Sequence, residues 1–201
     1  MKKAFDTLPH ASLLKSLSDL ELPQSFVSWI KSFLTSRKQK VLLNGVLSSA
    51  PVNVTSGVPQ GSVLAPYLFA CHMGSLKPCL PNSHMIKYAD DVNIIYPFSR
   101  ESSVQSIIDD ELQNMKTWCA LNGLTLNDHK TQVLILKKPR VDYSALQSLT
   151  PVPSTELTTL GVIFNDTLTW NPHVDDITKR ASCRIHVLRQ LKKIRPFCDK
   201  A

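Results

Sequence analysis

No stretch of this 201-residue sequence stays apolar long enough to cross a membrane. The opening MKKAFDTLPH places Asp6 and Pro9 where a secretory leader would need an unbroken apolar run. An intracellular protein without a membrane partner is therefore expected, with nucleus and cytoplasm not distinguished. There is no C-x-x-C pair, and the cysteines (Cys71, Cys79, Cys119, Cys183 and Cys198) are odd in number. That pattern argues against a zinc site and against a disulfide framework, so all five read as reduced thiols. Internal repeats and low-complexity tracts are absent too, which excludes a repeat array. Acids are the scarcer charge: 16 Asp and Glu against 23 Lys and Arg give a net charge of +7. The resulting pI of about 9.2 favours a polyanionic partner such as nucleic acid. A hydrophobic content of 43% suits a globular core, and the length allows one sizeable domain or one domain plus part of another.

What is present divides into helices and hairpins. Leu13, Leu14, Leu17 and Leu20 recur at helical spacing and predict a short amphipathic helix over about 11–20, broken by Pro23. Phe26, Val27, Ile30, Phe33 and Leu34 predict a second helix that ends in the basic cluster Arg37, Lys38 and Lys40. KVLLNGVLSS reads as a hairpin with Asn44-Gly45 as its turn. SGVPQGS must be a loop, because two glycines and a proline do not sit inside a regular element. VLAPYLFACHM is apolar enough for a buried helix with Pro66 near its first turn.

Residues 84–96 predict two strands joined at or near Asp90-Asp91. In the next helix, Val104, Ile107, Ile108, Leu112, Met115 and Trp118 share a face, and Gly123 supplies the stop. TLNDHKTQVLIL is expected to turn into a strand, 139–156 to form a surface loop, and LGVIFNDTLTW to form a hairpin around Asn165-Asp166. Residues 172–195 predict a final amphipathic helix. Lys179, Arg180, Arg184, Arg189, Lys192, Lys193, Arg195 and Lys200 crowd this end, as the solvated face of a helix would. Helices and hairpins without regular alternation give an α+β class.

HMIKYADDVNIIYPF, residues 84–98, sets Asp90 beside Asp91 between strand-forming runs. Two carboxylates about 4 Å apart repel by roughly 4 kcal/mol at an effective dielectric of about 20. Water, a basic neighbour or a metal ion must offset that. A pair held at a hairpin tip suits magnesium, which takes one or two carboxylates and leaves its other positions to water and phosphates. Acids are also common in ordinary solvated turns, so Tyr88-Ala89-Asp90-Asp91 alone leaves both readings open.

SGVPQGSVLAPYLF, residues 56–69, lies shortly upstream. With KAFDTLPHASLL, WCALNGLTLNDHKTQ and LGVIFNDTLTWNPHV, these stretches resemble, in order, the motifs of reverse transcriptases. The likeness is to polymerases of non-LTR (LINE-type) retrotransposons more than to retroviral enzymes, and it covers nearly the whole chain. It implies a right-hand polymerase: an α+β palm with an antiparallel sheet packed on helices over 1–171, the start of the α-helical thumb over 172–201, and the fingers missing. The implied reaction is RNA-directed DNA synthesis, with attack of a primer 3′-hydroxyl on a deoxynucleoside triphosphate. Two Mg2+ (or Mn2+) ions about 3.5–4 Å apart would assist it. RNA template, DNA primer and deoxynucleoside triphosphates are the implied partners, and the oligomeric state is left unknown.

Carried onto this chain, the resemblance makes Asp90 and Asp91 catalytic metal ligands. Gly57, Pro59, Gln60 and Gly61 become a loop lying against template and incoming nucleotide, where missing side chains let the backbone approach a base pair. Lys130 of NDHKT matches a lysine that donates a proton to the leaving pyrophosphate, unless it is an ordinary surface lysine. Phe5 matches the bulky gate that excludes a 2′-hydroxyl, unless it is a core aromatic. Leu160, Gly161 and Trp170 match a hairpin gripping the primer. Lys179, Arg180 and Arg184 then lie along the duplex, making sequence-blind, salt-sensitive contacts.

A third carboxylate is required. In the family's form D-x-x-K-A-F-D, Lys3 is the lysine, so the catalytic aspartate falls immediately before Met1. Asp6 is not its equivalent, because side chains alternate in direction along a strand, and Asp6 is expected to cap the following turn. Ala65 stands where glycine is usual and Gly74-Ser75 where Asn-Asp is common. The chain is then expected to be either a polymerase fragment with negligible activity by itself, or a non-catalytic nucleic-acid-binding remnant of a retrotransposon. Neither an endonuclease nor an RNase H signature occurs in these residues.

Overall fold

Leucines four residues apart build the centre of the fold. After the short helix α1 (Ala4–Thr7), helix α2 (His10–Asp19) buries Leu13 and Leu17 on one side, as the i, i+4 spacing dictates. Helix α3 (Gln24–Leu34) comes after Pro23 and buries Val27, Ile30 and Leu34 at spacings of three and four. Two-residue strands come next: β1 (Lys38–Gln39), β2 (Leu42–Leu43), β3 (Val46–Leu47) and β4 (Val52–Asn53). Helix α4 (Leu64–Met73) packs on α2, as α3 does, and buries Ala65, Leu68, Phe69, His72 and Met73. Strands β5 (His84–Tyr88) and β6 (Asp91–Ile95) lead to the long helix α5 (Val104–Leu121) and a 3-10 turn at Asp128–Lys130. Strands β7 (Glu156–Thr159) and β8 (Val162–Asn165) and helix α6 (Asn171–Cys198) complete the chain.

The structure, a computed structural model, describes residues 1–47, 50–98, 103–137, 146 and 148–198. Most of the loop expected at 139–156 lies outside them, as do the last two serines of KVLLNGVLSS and the side chains of Lys193, Arg195 and Lys200. The chain divides into two compact units, Met1–His129 and Lys130–Ala201. No helix among the described residues is long and apolar enough to cross a membrane.

The α+β class holds, but one shared antiparallel sheet is not what the described strands form. They pair two by two, β1 with β4, β2 with β3, β5 with β6 and β7 with β8, all antiparallel. The β2–β3 turn is the expected Asn44-Gly45, with φ of 50° and 80° as a tight hairpin turn requires. Two expectations need correction. The strand expected in TLNDHKTQVLIL is reduced to the 3-10 turn and one isolated parallel bridge, Leu134 to Ser154. Its backbone bonds go singly to different partners, Val133 to Ser154 and Lys137 to Asp166, so no ladder can propagate. The hairpin of LGVIFNDTLTW turns at Leu160-Gly161 (φ 50° and 81°), not at Asn165-Asp166. Asn165 instead accepts the Thr169 N–H at 2.7 Å, and Asp166 pairs with Lys137 at 2.7 Å.

Three fastenings hold the first unit around the candidate site. The loop at 56–61 lies on α1: the Gly57 N–H donates to Leu8 O and the Val58 N–H to Phe5 O, both at 2.8 Å. A Cβ on Gly57 would sit 2.7 Å from the Asp6 carbonyl oxygen. Glu111, buried at the middle of the apolar face of α5, accepts from the Leu80 N–H (3.0 Å), the Cys79 N–H (3.3 Å) and the Ser83 hydroxyl (2.5 Å). It thus pins the turn that enters β5. Burial pushes its carboxyl up, but the bonds from Ser83, Leu80 and Cys79 outweigh that and hold it below its ordinary value. The third is His72, fully buried, with Nδ1 2.9 Å from the Ser16 hydroxyl and its ring 5.4 Å from that of Trp118. Its Nε2 has no partner among the described residues, and burial holds its pKa below the ordinary value. Ser16 donates to the Ser12 carbonyl, so it accepts from the His72 Nδ1–H and leaves Nε2 a bare acceptor.

The signs of these shifts set the acid behaviour. A histidine depressed in the fold contributes stability fully above its ordinary value of 6.5, and this is lost as pH falls below it. A depressed carboxyl contributes above its ordinary 4.5 and loses the contribution as pH falls through its folded value. Thermal melts against pH should show His72→Phe flattening the decline that begins near 6.5, and Glu111→Gln flattening only the one that begins near 4.5. Glu111→Gln should also cost about 1.5–3 kcal/mol at neutral pH, since it removes charge-assisted bonds. In urea titrations Gly61→Ala, whose φ is 81° with open space around it, should cost about 1–2 kcal/mol. Gly57→Ala should cost about 3 kcal/mol or more, because backbone strain and a backbone clash add.

Candidate active site

The stacked ring of Phe5 begins the site. Phe5 lies 4.2 Å from Phe69 with the ring planes 17° apart, so a fully buried core residue props its outer face. Above it opens a hollow of about 450 Å³ lined by Phe5, Gln60, Gly61, Ser62, Val63, Ala65 and Pro66. Pro59 shapes its rim: its carbonyl accepts from the Ser62 hydroxyl at 2.7 Å, and Ser62 in turn accepts the Ala65 N–H at 3.2 Å, capping the start of α4. The gate and loop residues named from the sequence thus come together. Their glycines play unlike parts, however. Gly57 is buried and its missing Cβ admits the α1 backbone, whereas Gly61 faces open space.

Asp6 is placed differently from expectation. It does not cap the next turn; its Oδ1 accepts from Gln60 Nε2 at 2.6 Å, and its carbonyl accepts from the Ser56 hydroxyl at 3.1 Å. A carboxylate only accepts, so the Gln60 amide must turn its nitrogen to Asp6. The sequence carried no periodic signal for this pair, which are 54 residues apart.

The paired acids occupy the β5–β6 tip. Its two-residue turn is Ala89-Asp90, one residue earlier than Asp90-Asp91, because Tyr88 pairs with Asp91 in register. Ala89 takes φ of 50°, a left-handed conformation costly for a residue with a Cβ. Asp90 is half-buried in the turn and Asp91 is exposed at the head of β6. The nearest lysine in sequence does not neutralise them: Lys87 donates to the carbonyls of Met73 and Leu76, each at 2.6 Å, at the end of α4. Burial, then the charge of Lys77, pushes the Lys87 pKa down. The ion pairs among the described residues are Lys116–Asp128, Lys137–Asp166 and Arg180–Asp176, and none includes the tip. Neither acid thus has a cationic side-chain partner among the described residues.

Helix α4 joins the two features, with the hollow at its first turn and the acid hairpin tied by Lys87 to its last. Among the described residues no three His, Cys, Asp or Glu side chains gather into a metal cage. Two hard carboxylate donors do fit a magnesium or manganese ion that takes its remaining ligands from water and substrate phosphates.

In the second unit, Lys130 is exposed at the end of the 3-10 turn. Leu160 is exposed and Gly161 meets open space at the β7–β8 turn. Trp170 is 59% exposed, with ring centroids 6.1 Å from Phe164 and 6.3 Å from His173, just ahead of α6. Arg180 is held by Asp176 at 2.6 Å, while Lys179 and Arg184 are exposed on α6.

Known proteins resemble this chain over most of its length. Residues 1–164 match the family model described as reverse transcriptase (RNA-dependent DNA polymerase). The chain is 28% identical over 204 residues to a probable RNA-directed DNA polymerase from transposon BS of Drosophila melanogaster, covering 95% of the chain and 22% of that protein. It is 28% identical to the corresponding probable polymerase from transposon X-element of the same species, over 92% of the chain and 21% of that protein. Against the RNA-directed DNA polymerase from mobile element jockey of Drosophila funebris the identity is 26%, again over 92% and 21%. The chain spans about a fifth of the length of the curated relatives it matches. With a match over most of its length, the chain belongs to the reverse transcriptase (RNA-dependent DNA polymerase) family, beside polymerases of non-LTR retrotransposons.

Proposed function

We propose that residues 1–171 are palm and 172–201 the start of the thumb of an RNA-directed DNA polymerase, and that Asp90 and Asp91 hold its Mg2+ or Mn2+. The observation that carries this reading is a pair of adjacent carboxylates, Asp90 in a two-residue turn and Asp91 at the head of β6, without a cationic side-chain partner among the described residues, in the unit that also holds the Phe5–Gln60 hollow. RNA template, DNA primer and deoxynucleoside triphosphates are the substrates proposed. When bound, the divalent ions supply charge stabilisation to the attacking and leaving oxygens of nucleotidyl transfer.

The chain's own groups have distinct tasks in this reading. Asp90, in the turn, and Asp91, at the head of β6, hold and orient the ions. Phe5, propped by Phe69, excludes a 2′-hydroxyl by contact. Pro59, Gln60 and Gly61 form the wall against which template and nucleotide lie, and Gly57 holds that wall to α1. Lys130 donates a proton to the departing pyrophosphate. Leu160, Gly161 and Trp170 grip the primer, and Lys179 and Arg184 meet duplex phosphates, joined by Arg180 only where a phosphate displaces Asp176. A third carboxylate, from the family's first motif, is needed to complete the site.

Mn2+ titration followed by electron paramagnetic resonance tests the acid pair. The expected result is a weak site that tightens with a deoxynucleoside triphosphate and primer–template and weakens about tenfold or more in Asp90→Asn. Equal Mn2+ binding in that variant would sink the assignment. Primer extension on an RNA template by these 201 residues alone should be negligible, since they carry two of the three acids. Magnesium-dependent extension abolished by Asp90→Asn would show that two acids suffice.

A further inference from the structure

Helix α3 has two unlike faces. Val27, Ile30 and Leu34 point into the core, while Phe26, Trp29 and Phe33 run along the other side, with Phe26 39% and Trp29 52% exposed. Their rings form a row: centroids are 5.7 Å apart from Phe26 to Trp29 and 6.5 Å from Trp29 to Phe33, the latter pair 27° from parallel. The guanidinium carbon of Arg37 then lies 5.5 Å over the Phe33 ring. Phe33 is half-buried against the core and props the row, while Phe26 and Trp29 stand in water. Burying a large apolar side chain is worth about 1.5–3 kcal/mol, so adjoining aromatics left exposed mark a contact surface more than an accident of packing.

Charge selects the partner. Arg37, Lys38 and Lys40 are all exposed where α3 runs into β1, and the sequence has no Asp or Glu between Glu21 and Asp90. An apolar protein face would cover the rings and strand those cations. A duplex would satisfy the cations, but its base faces are closed inside the stack. Single-stranded nucleic acid presents both open base faces and phosphates, and aromatic platforms edged with Arg and Lys are how it is bound. We propose that the Phe26, Trp29, Phe33 and Arg37 face of α3 is a stacking platform for single-stranded nucleic acid, with Lys38 and Lys40 meeting its phosphates. The platform uses none of the residues of the hollow or of the acid hairpin, and it does not depend on the metal assignment.

The test uses the full 201-residue chain, fluorescein-labelled oligo(U) of about 20 nucleotides, and an RNA–DNA hybrid of the same length. Trp29→Ser should weaken oligo(U) binding about tenfold and Phe26→Ser several-fold, with hybrid binding changed less than about twofold. Lys38→Gln should reduce the slope of log affinity against log salt by roughly 0.7. Tryptophan emission of a Trp170→Phe chain, whose remaining indoles are Trp29 on the platform and the half-buried Trp118, should fall on adding oligo(U), which leaves α3 unaltered and decides the matter should Trp29→Ser fail to fold. Three results overturn the proposal: oligo(U) affinity unchanged in both aromatic variants, equal losses for oligo(U) and hybrid, or self-association of the chain that Trp29→Ser abolishes while oligo(U) binding persists. The Mn2+ titration at Asp90 is unaffected by any of these.

Discussion

The candidate site depends on a backbone-to-backbone contact. The Gly57 and Val58 amides donate into the carbonyls of Leu8 and Phe5, a Pro9–Ser56 bridge runs alongside, and Gln60 reaches the Asp6 carboxylate. Chains approach this closely only where one of them has no Cβ, and here it would fall 2.7 Å from a carbonyl oxygen. With the loop held there, Phe5 is trapped between Phe69 below and the hollow above, and Ser62 is left to start α4. A glycine that reads in the sequence as room for a ligand is thus first of all room for the protein's own first turn. Gly61, four residues on, retains the open space.

Helix α4 carries the constraint from the loop to the acids. Its apolar surface anchors it to α2, and its last residue, Met73, and Leu76 just beyond offer carbonyls to the Lys87 ammonium, so the β5 strand is fastened two residues from the turn. Glu111 does the corresponding work on the entry side by taking three donors of the segment 79–83. Two buried or half-buried charges thereby lock the approach to β5, and both are satisfied by backbone or hydroxyl groups. Among the described residues the acids at the tip have no such partners. A left-handed alanine and an unneutralised carboxylate pair are each unfavourable in isolation, and features of this kind persist where the surrounding structure over-determines them, commonly at functional sites.

Much of this fold is legible in residue spacing. Helices α2, α3 and α5 follow from apolar periodicity, α4 from a continuous apolar run with Pro66 in its first turn, and the Asn44-Gly45 turn from its own chemistry. The departures have a common cause. TLNDHKTQVLIL has strand-forming residues but meets no continuous partner, and Leu160-Gly161 captured a turn that Asn165-Asp166 could equally have made. Register decided the second case: pairing Glu156 with Asn165 and Thr159 with Val162 leaves two residues for the turn, and Asn165 is then free to cap Thr169. Glu111 gives no signal in the sequence, because an acid in an apolar face looks like an interruption until its three donors are seen.

By itself the sequence determined the family, the order of the motifs, the paired acids and the basic balance, because these reside in residue identity and spacing. Tertiary structure alone decided that Asp6 serves Gln60, that Lys87 is engaged away from the acids, that Gly57 and Gly61 differ, and that the aromatics of α3 face outward in a row beside Arg37. The physical reason is range. Helices and turns are set by neighbours within a few residues, whereas a side chain's partner is chosen by whichever distant segment the core brings against it.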